Sequence, residues 1–252
     1  MAIISNNQIK YLKSLSQKKF REKYGHFIAE GEKIVKEACK SDFKVINTFR
    51  LDEIGEDCMK KISCFNTPSP ILAVIEQKKY SLNEINFKEL FLKKDDSLFL
   101  ALCGIRDPGN LGTIIRIADW FGIDAIFCSE DTVDIYNPKV VQATMGAIFR
   151  KIIIYTNIKE VIDIFNSNNK PIYGTFLDGN NMYTQSIKKE GLIIMGNESN
   201  GIPDDIGKLI NNRLYIPSYN NSSITGNNSS ITSESLNVAI ATAIVCAEFR
   251  RK

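Results

Sequence analysis

The sequence predicts an α/β protein with a parallel sheet in its C-terminal part, and two observations support this fold class. From Leu98 onward, short apolar segments alternate with helix-like segments. Parallel strands covered on both faces are nearly continuous apolar runs, and crossover helices join them. The chain has 252 residues, 44% hydrophobic and 24% charged, which is an ordinary globular composition and excludes disordered, collagen-like and coiled-coil proteins.

The elements of this C-terminal part follow one another regularly. The predicted strands are LFLALCG, AIFCS, KIIIYT, PIYGTFL, GLIIMGN and RLYIP. Helices are predicted from Leu111, from Lys139, after Asn157 and from Glu234. The last helix is apolar nearly all round, so we expect it to be central or to lie in an interface. Ligands of such sheets bind beyond the carboxyl ends of the strands, which directs attention to the loops after Gly104, Gly196 and Pro217.

The N-terminal part is predicted to be a small separate α/β domain. Apolar residues recur at helical spacing over Ile9–Ala38, with an interruption around Gly25 and Gly31, and Ile71–Ile75 is predicted to be a strand. A charged segment without a long apolar run follows, and it contains the predicted boundary. We therefore predict an N-terminal domain at residues 1–80, a linker at 81–97 and a second domain at 98–252.

The two parts of the chain differ in charge. Residues 1–94 carry 18 Lys and Arg against 12 Asp and Glu, whereas residues 95–252 carry 14 against 17. A surface that contacts phosphates requires such a basic excess, and Lys18, Lys19 and Arg21 are its candidate residues. The alternative is a solvated helix face.

Neither a metal site nor a membrane segment is predicted. The six cysteines include no CxxC pair, and the single histidine, His26, cannot complete a zinc site with them. We expect the cysteines to be buried reduced thiols. The N-terminus has no apolar signal region, and no segment reaches the roughly 18 uncharged apolar residues of a membrane span, so a cytoplasmic protein is expected.

The loop after the first of these C-terminal strands carries three notable residues. Asn110 is predicted to cap the following helix, and Gly112 allows a close approach of backbone. Arg116 is predicted to project from the N-terminal end of this helix toward the same cleft as Asn110. The alternative is a capped helix with a surface arginine.

Two further loops place polar residues after buried strands. Gly196, Asn197 and Glu198 directly follow one strand, where a simple turn is the alternative. Ser233 and Glu234 are predicted to cap the last helix, which leaves Asn237 inside it without a capping role. The tandem repeat NNSSIT-Gly-NNSSIT before this helix is predicted to be a flexible loop. No P-loop or G-x-G-x-x-G signature is present, which counts against a metabolic nucleotide enzyme.

Together the three loops resemble the three motifs of the SpoU (TrmH-like) family of RNA ribose 2′-O-methyltransferases, part of the SPOUT superfamily. The matching segments are Asn110-x-Gly112-x-x-x-Arg116, then Met195-Gly196-Asn197-Glu198 with Gly201-Ile202, and finally Ile216-Pro217 with Glu234-Ser235-Leu236-Asn237-Val238. The N-terminal KKFREKYGHFIAEGEKIVKEA resembles the L30e-like substrate-binding domain common in the family.

The resemblance implies a trefoil-knotted methyltransferase domain, an S-adenosylmethionine cofactor and a homodimer. It assigns the cofactor to Gly196, Ile216 and Leu236, and functional polar roles to Asn110, Arg116, Glu198, Ser235 and Asn237. RNA is the implied partner, and ribosomal RNA is favoured because the N-terminal domain resembles those of ribosomal-RNA members. The thioether that leaves is neutral and needs no proton, and neither a metal nor a cysteine nucleophile is required.

The chemistry of methyl transfer to a hydroxyl suggests a role for Arg116. A guanidinium almost never gives up its proton, so we expect Arg116 to be an electrostatic clamp on the hydroxylate and a neighbouring phosphate. Ser235 and Asn237 are expected to position the reactants. A transfer-RNA 2′-O-methyltransferase is the first alternative. A non-catalytic RNA-binding assembly protein is the second, although it would not need the complete polar set.

Overall fold

The computed structural model describes residues 4–93, 96–219 and 235–251. They form two compact units, the first built from the described residues within 1–80, 107–119 and 133–152 and the second from those within 81–106, 120–132 and 153–252. The NNSSIT repeat and the predicted caps Ser233 and Glu234 lie outside the described residues. The predicted domain boundaries stay a prediction.

Helices and strands alternate along most of the described chain. In chain order they are α1 (Asn6–Ser14), α2 (Lys18–Tyr24), β1 (His26–Glu30), α3 (Glu32–Lys40), β2 (Val45–Arg50), α4 (Leu51–Ile54), α5 (Glu56–Ile62), β3 (Ile71–Glu76), α6 (Phe87–Lys93), β4 (Leu98–Leu102), α7 (Pro108–Trp120), β5 (Ala125–Cys128), α8 (Pro138–Thr144), β6 (Ile152–Tyr155), α9 (Ile158–Ser167), β7 (Ile172–Asn181), β8 (Gly191–Met195), α10 (Asp204–Gly207), β9 (Asn212–Tyr215) and α11 (Val238–Arg250).

The first unit contains a three-stranded antiparallel sheet in the order β1-β3-β2. Helices α1 and α5 pack together, and α8 packs against β1. The core between the sheet, α1 and α5 is made of buried aliphatic side chains, including Leu12, Leu15, Ile28, Met59 and Leu72. The rings of Phe27 and Tyr136 add an aromatic contact at 4.5 Å between centroids, which ties β1 to the segment before α8.

The second unit contains a six-stranded sheet in the order β6-β5-β4-β8-β7-β9. The pairs β4–β5, β4–β8, β7–β8 and β7–β9 are parallel. Strands β4, β5 and β8 are buried along their whole length, as expected for strands covered on both faces. The predicted α/β fold class is therefore confirmed, and the loops after β4, β8 and β9 leave the carboxyl edge of this sheet.

One strand is not predicted from the sequence, and one expectation is wrong. The helical periodicity over Ile9–Ala38 is predicted to be interrupted around Gly25 and Gly31, and the strand β1 lies between these two glycines and pairs along its full length with β3. Four of its five residues are buried, so its apolar run carries no alternation that would distinguish it from a buried helix. The cysteines are not uniformly buried either, because Cys39 is exposed.

Candidate active site

The loops after the neighbouring strands β4 and β8 are joined by hydrogen bonds. The side-chain amide of Asn197 donates to the carbonyl oxygen of Gly104 at 2.5 Å. The backbone N–H of Arg106 donates to Oε2 of Glu198 at 3.3 Å. Gly104 has a φ of +67°, and its N–H donates to Oγ of Ser129 after β5 at 2.8 Å. These bonds hold the half-buried Glu198 carboxylate at the carboxyl edge of the sheet.

The loop after β8 is a tight turn organised by Asn197. The backbones of Asn197 and Gly201 exchange two hydrogen bonds, at 2.8 and 3.0 Å. Oδ1 of Asn197 also accepts the N–H groups of Ser199 and Asn200, at 2.9 and 3.1 Å. A Cβ at Gly196 would lie 2.2 Å from the carbonyl carbon of Gly201, so the turn requires glycine there. Asn197 thus positions Glu198. The signal for this role in the sequence is a polar amide placed just after a buried strand.

The third loop ends at Asn237, which is the N-cap of α11. The sequence analysis predicts Ser233 and Glu234 as the caps of this helix. Helix α11 begins at Val238, and Oδ1 of Asn237 accepts the N–H groups of Ala239 and Ile240 at 2.9 and 3.3 Å. The prediction that Asn237 lies inside a helix starting at Glu234 is therefore wrong. Its extended backbone and short acceptor side chain are those of a cap. Ser235 and Leu236 precede the cap and are exposed, Leu236 by 50%.

The positions matched to the cofactor have a chemistry that fits an adenosine group. Gly196 and Ile216 directly follow β8 and β9, which pair with β7 on its two sides, so both lie at the carboxyl edge of the sheet. Half-buried Ile216 and half-exposed Leu236 supply apolar surface. Over the described residues, no group of three His, Cys, Asp or Glu side chains could hold a metal ion.

A cavity of about 780 Å³, lined by both polar and apolar side chains, lies at the ends of β4, β5, β6 and β8. Its lining includes Gly104, Arg106, Asp131, Lys159 and Asn197. Gly196, Ile216 and Leu236 do not line it. The cavity is therefore separate from the positions matched to the cofactor, although it shares the hydrogen-bonded loops after β4 and β8.

The helix α7 of the first unit carries Asn110 and Arg116. It begins at Pro108, and the N–H of Asn110 donates to Oδ1 of Asp107 at 2.8 Å. Asp107 is thus the capping residue, and the prediction that Asn110 caps the helix is wrong. Gly112 does allow a close approach, because a Cβ there would lie 2.4 Å from Cβ of Ala143 in α8. Arg116 is exposed, and no hydrogen-bond or ion-pair partner for it exists among the described residues.

The three basic residues predicted to contact phosphate have different environments. Lys18 and Lys19 are exposed, and Lys18 lies 3.8 Å from Glu22. Arg21 is only 2% exposed, and its guanidinium binds Asp134 and two backbone carbonyl oxygens. Its side chain is buried and all three of its nitrogens donate within the fold, so the structure does not present this guanidinium on the surface with the two lysines. The sequence alone does not show that Arg21 is buried while the neighbouring lysines are exposed, because the partner of Arg21, Asp134, lies 113 residues away in the chain.

Comparison with known proteins places these features in context. The SpoU rRNA Methylase family profile matches residues 97–247, and the profile of the MRM3-like substrate binding domain matches residues 6–51. The chain is 29% identical to the 23S rRNA (guanosine(2553)-2′-O)-methyltransferase RlmP of Bacillus subtilis, an alignment that spans 97% of this chain and 96% of the relative.

Solved structures that resemble this chain are also RNA methyltransferases. An AdoMet-bound rRNA methyltransferase from Sinorhizobium meliloti has 28% identity and a TM-score of 0.84, covering 99% of this chain and 97% of that one. An RNA methyltransferase assigned to the TrmH family, from Porphyromonas gingivalis, has 34% identity and a TM-score of 0.80, covering 99% of both chains. No helix in the described part of the chain is long and apolar enough to cross a membrane.

Proposed function

Because the chain belongs to the SpoU rRNA methylase family, we propose that it transfers the methyl group of S-adenosylmethionine to a ribose 2′-hydroxyl of ribosomal RNA. The observation that carries the proposal is the family match over residues 97–247, which contains every polar and cofactor position of the three motifs. The 23S rRNA is the proposed substrate, since the Bacillus subtilis relative, aligned over 97% of this chain, is named for that RNA.

In this proposal Gly196, Ile216 and Leu236 hold the cofactor. When bound, S-adenosylmethionine supplies an electrophilic methyl group on a sulfonium, whose departure leaves a neutral thioether. Ile216 and Leu236 contribute apolar contact to the adenosine part, and the tight turn at Gly196 presents backbone groups. No side chain needs to donate a proton to the leaving group.

The polar residues of the chain act on the ribose. As the methyl group is transferred, the 2′-hydroxyl loses its proton to solvent. Arg116 binds the 2′-oxygen as its negative charge develops, together with a neighbouring phosphate, because its guanidinium stays protonated and presents a planar fork. Its exposed and unpaired state, within the described residues, leaves these donors available. Glu198 is held by the loop bonds from Asn197 and Arg106. Asn237 fixes the start of α11, and it thereby positions Ser235 and Leu236.

We further propose a homodimer and a trefoil knot, which the family resemblance implies. The start of α11 supports a dimer, because Leu236 and Ile240 leave 50% and 53% of their surface exposed. Burial of such apolar surface against a second copy would be favourable. The proposed setting is the cytoplasm. Asn110, the remaining polar motif residue, is proposed to support the first motif from within α7.

Mapping of ribose methylation tests this function. Ribosomal RNA from cells lacking the chain should lose one 2′-O-methyl group in 23S rRNA, and the purified protein with S-adenosylmethionine should restore it. Loss of a methyl group from transfer RNA instead would favour the alternative substrate. An unchanged methylation pattern in all RNAs, with no transfer by the purified protein, would contradict the proposal.

A further inference from the structure

Four aromatic rings of the first unit form one continuous cluster, which we call the α1–α2 ring cluster: Tyr11, Phe20, Tyr24 and His26. The rings of Tyr11 and Tyr24 meet edge to face at 5.1 Å between centroids, and those of Phe20 and Tyr24 lie within 14° of parallel at 6.4 Å. Tyr11 also contacts the His26 ring, and its hydroxyl is 2.6 Å from Nδ1 of His26. The rings are therefore held in fixed positions relative to one another.

The ring cluster lies at the edge of the core and is open to solvent. Tyr11 packs against the buried core cluster of the first unit. Tyr24, in contrast, is 39% exposed, and Phe20 and His26 are only half-buried. Aromatic rings whose role is core packing are usually buried more completely. Tyr24 therefore leaves part of its ring exposed to solvent beside neighbours that are anchored in the fold.

A lysine ammonium group lies over one face of each of the two rings of α2, in a cation–π contact. Nζ of Lys19 lies 4.8 Å from the centre of the Phe20 ring, and Nζ of Lys23 lies 5.5 Å from the centre of the Tyr24 ring. Both lysines are exposed, and neither has a carboxylate partner among the described residues. The lysine charges suit the phosphate of a nucleotide, and the partly exposed aromatic rings suit its base.

We propose that the α1–α2 ring cluster binds an unpaired nucleotide of the RNA substrate, with its base stacked on Tyr24 and Phe20 and its phosphates near Lys19 and Lys23. This inference rests on the proposed function, because it assumes an RNA substrate. The base must be unpaired, since bases inside an A-form helix have no free face. The match of residues 6–51 to a substrate binding domain includes the whole ring cluster. The inference therefore assigns a single-stranded segment to this domain.

Binding of RNA by the full chain tests the proposal, with a fluorescein-labelled oligouridine and a blunt RNA duplex of equal length as ligands. Tyr24→Leu keeps apolar volume but removes the ring, and it should weaken oligouridine binding by about fivefold or more. Tyr24→Phe should bind within about twofold of the unmodified chain. Duplex binding should not change in either variant. Tyr183→Leu is the matched control, because Tyr183 is 41% exposed in the second unit and should not affect binding.

Two measurements separate stacking from charge and from misfolding. Lys19→Gln with Lys23→Gln should reduce the slope of log affinity against log salt by about 0.7 per lysine, whereas Tyr24→Leu should leave this slope unchanged. Irradiation of an oligonucleotide with 5-iodouridine, bound to the unmodified chain, should cross-link to Tyr24 or Phe20. This cross-link does not depend on the folding of any variant.

The outcomes distinguish this inference from the proposed function. If the unmodified chain binds oligouridine and methylates RNA but Tyr24→Leu binds equally well and no cross-link reaches Tyr24 or Phe20, the stacking surface is overturned and the methyltransferase stands. If the unmodified chain neither binds nor methylates RNA, both are overturned.

Discussion

The guanidinium of Arg21 donates from Nε and Nη2 to Oδ2 of Asp134, at 3.0 and 2.7 Å, with the arginine side chain 2% exposed. Its Nη1 donates to the carbonyl oxygens of Leu15 and Ser16 at 2.9 and 2.8 Å. Arg21 lies in α2, so these bonds join α2 to the turn that precedes it and to the segment before α8. Helix α2 also carries Lys19 and Lys23, next to which the RNA is proposed to bind, so Arg21 holds the helix that presents these lysines.

Removal of Arg21 should therefore cost stability. Arg21→Leu leaves the Asp134 carboxylate and two carbonyl oxygens without their donor, and we expect a loss of about 3–5 kcal/mol in the free energy of unfolding, measured with urea. Lys18→Gln, an exposed control on the same helix, should change stability little and weaken RNA binding. Equal stability of Arg21→Leu and Lys18→Gln would contradict the structural role.

The bond from Asn197 to Gly104 can be tested by a nearly isosteric change. Asn197→Asp keeps the acceptor for Ser199 and Asn200 but replaces the donor to the Gly104 carbonyl by a second acceptor. We expect a loss of about 1–3 kcal/mol in the free energy of unfolding and a lower rate of methyl transfer, because the loop carries Glu198. Asn200→Asp, in the same loop, is the control. The account fails here if both variants behave alike.

Glu30 predicts a pH dependence of stability. This carboxyl group is 2% exposed and accepts from Ser63 and from the Cys64 N–H, at 2.7 and 2.6 Å. Burial raises the pKa of Glu30 above its usual value of 4.5, an effect that these hydrogen bonds only partly offset. In the pH window above 4.5 the folded state then binds more protons than the unfolded state, so the contribution of Glu30 to stability falls as pH rises through the raised pKa.

Comparison with Glu30→Gln isolates this contribution, because glutamine does not titrate. The free energy of unfolding of the unmodified chain, minus that of Glu30→Gln, should decrease from pH 4 toward neutral pH and then level off. Urea unfolding of both proteins at a series of pH values measures it. A difference that stays constant or increases with pH would show that burial does not control this group.

The proposed dimer predicts a mass in solution of about twice 28.4 kDa by light scattering. Ile240→Glu places a charge on exposed apolar surface at the start of α11, and it should shift the protein toward monomer without unfolding it. Ile46→Glu, at a residue 41% exposed in β2 of the first unit, should leave the mass unchanged. A monomeric protein that still methylates RNA would refute the dimer.

The second unit is the more predictable part of the fold. The segments LFLALCG, AIFCS and GLIIMGN are runs of apolar residues bounded by polar turns, and each contains a strand of the parallel sheet. Strand β1 is not predicted, because its nearly continuous burial gives it neither a helical nor an alternating pattern of apolar residues. The pairing of β1 with β3 depends on residues more than 40 positions away, which local patterns do not contain.

The sequence predicts which residues form the candidate site better than it predicts the structural role of each residue. The loop motifs identify Glu198, Asn237 and Arg116 by their spacing, but capping depends on where a helix starts, and helix starts shift by a few residues. Asp107 and Asn237 therefore take the capping roles that the sequence predicts for Asn110 and for Ser233 or Glu234. The role of Asn197 requires the neighbouring Gly104 carbonyl, which only the strand order brings close.

Single-turnover transfer of labelled methyl from S-adenosylmethionine to 23S rRNA, with nucleoside analysis of the product, tests the central claim most directly. The unmodified chain should form a 2′-O-methylnucleoside. Arg116→Ala should be slower by about 100-fold or more, with cofactor affinity unchanged, and Arg116→Lys should not restore the rate, since an ammonium lacks the planar fork. Absence of a 2′-O-methylnucleoside, or a near-normal rate for Arg116→Ala, would contradict the account.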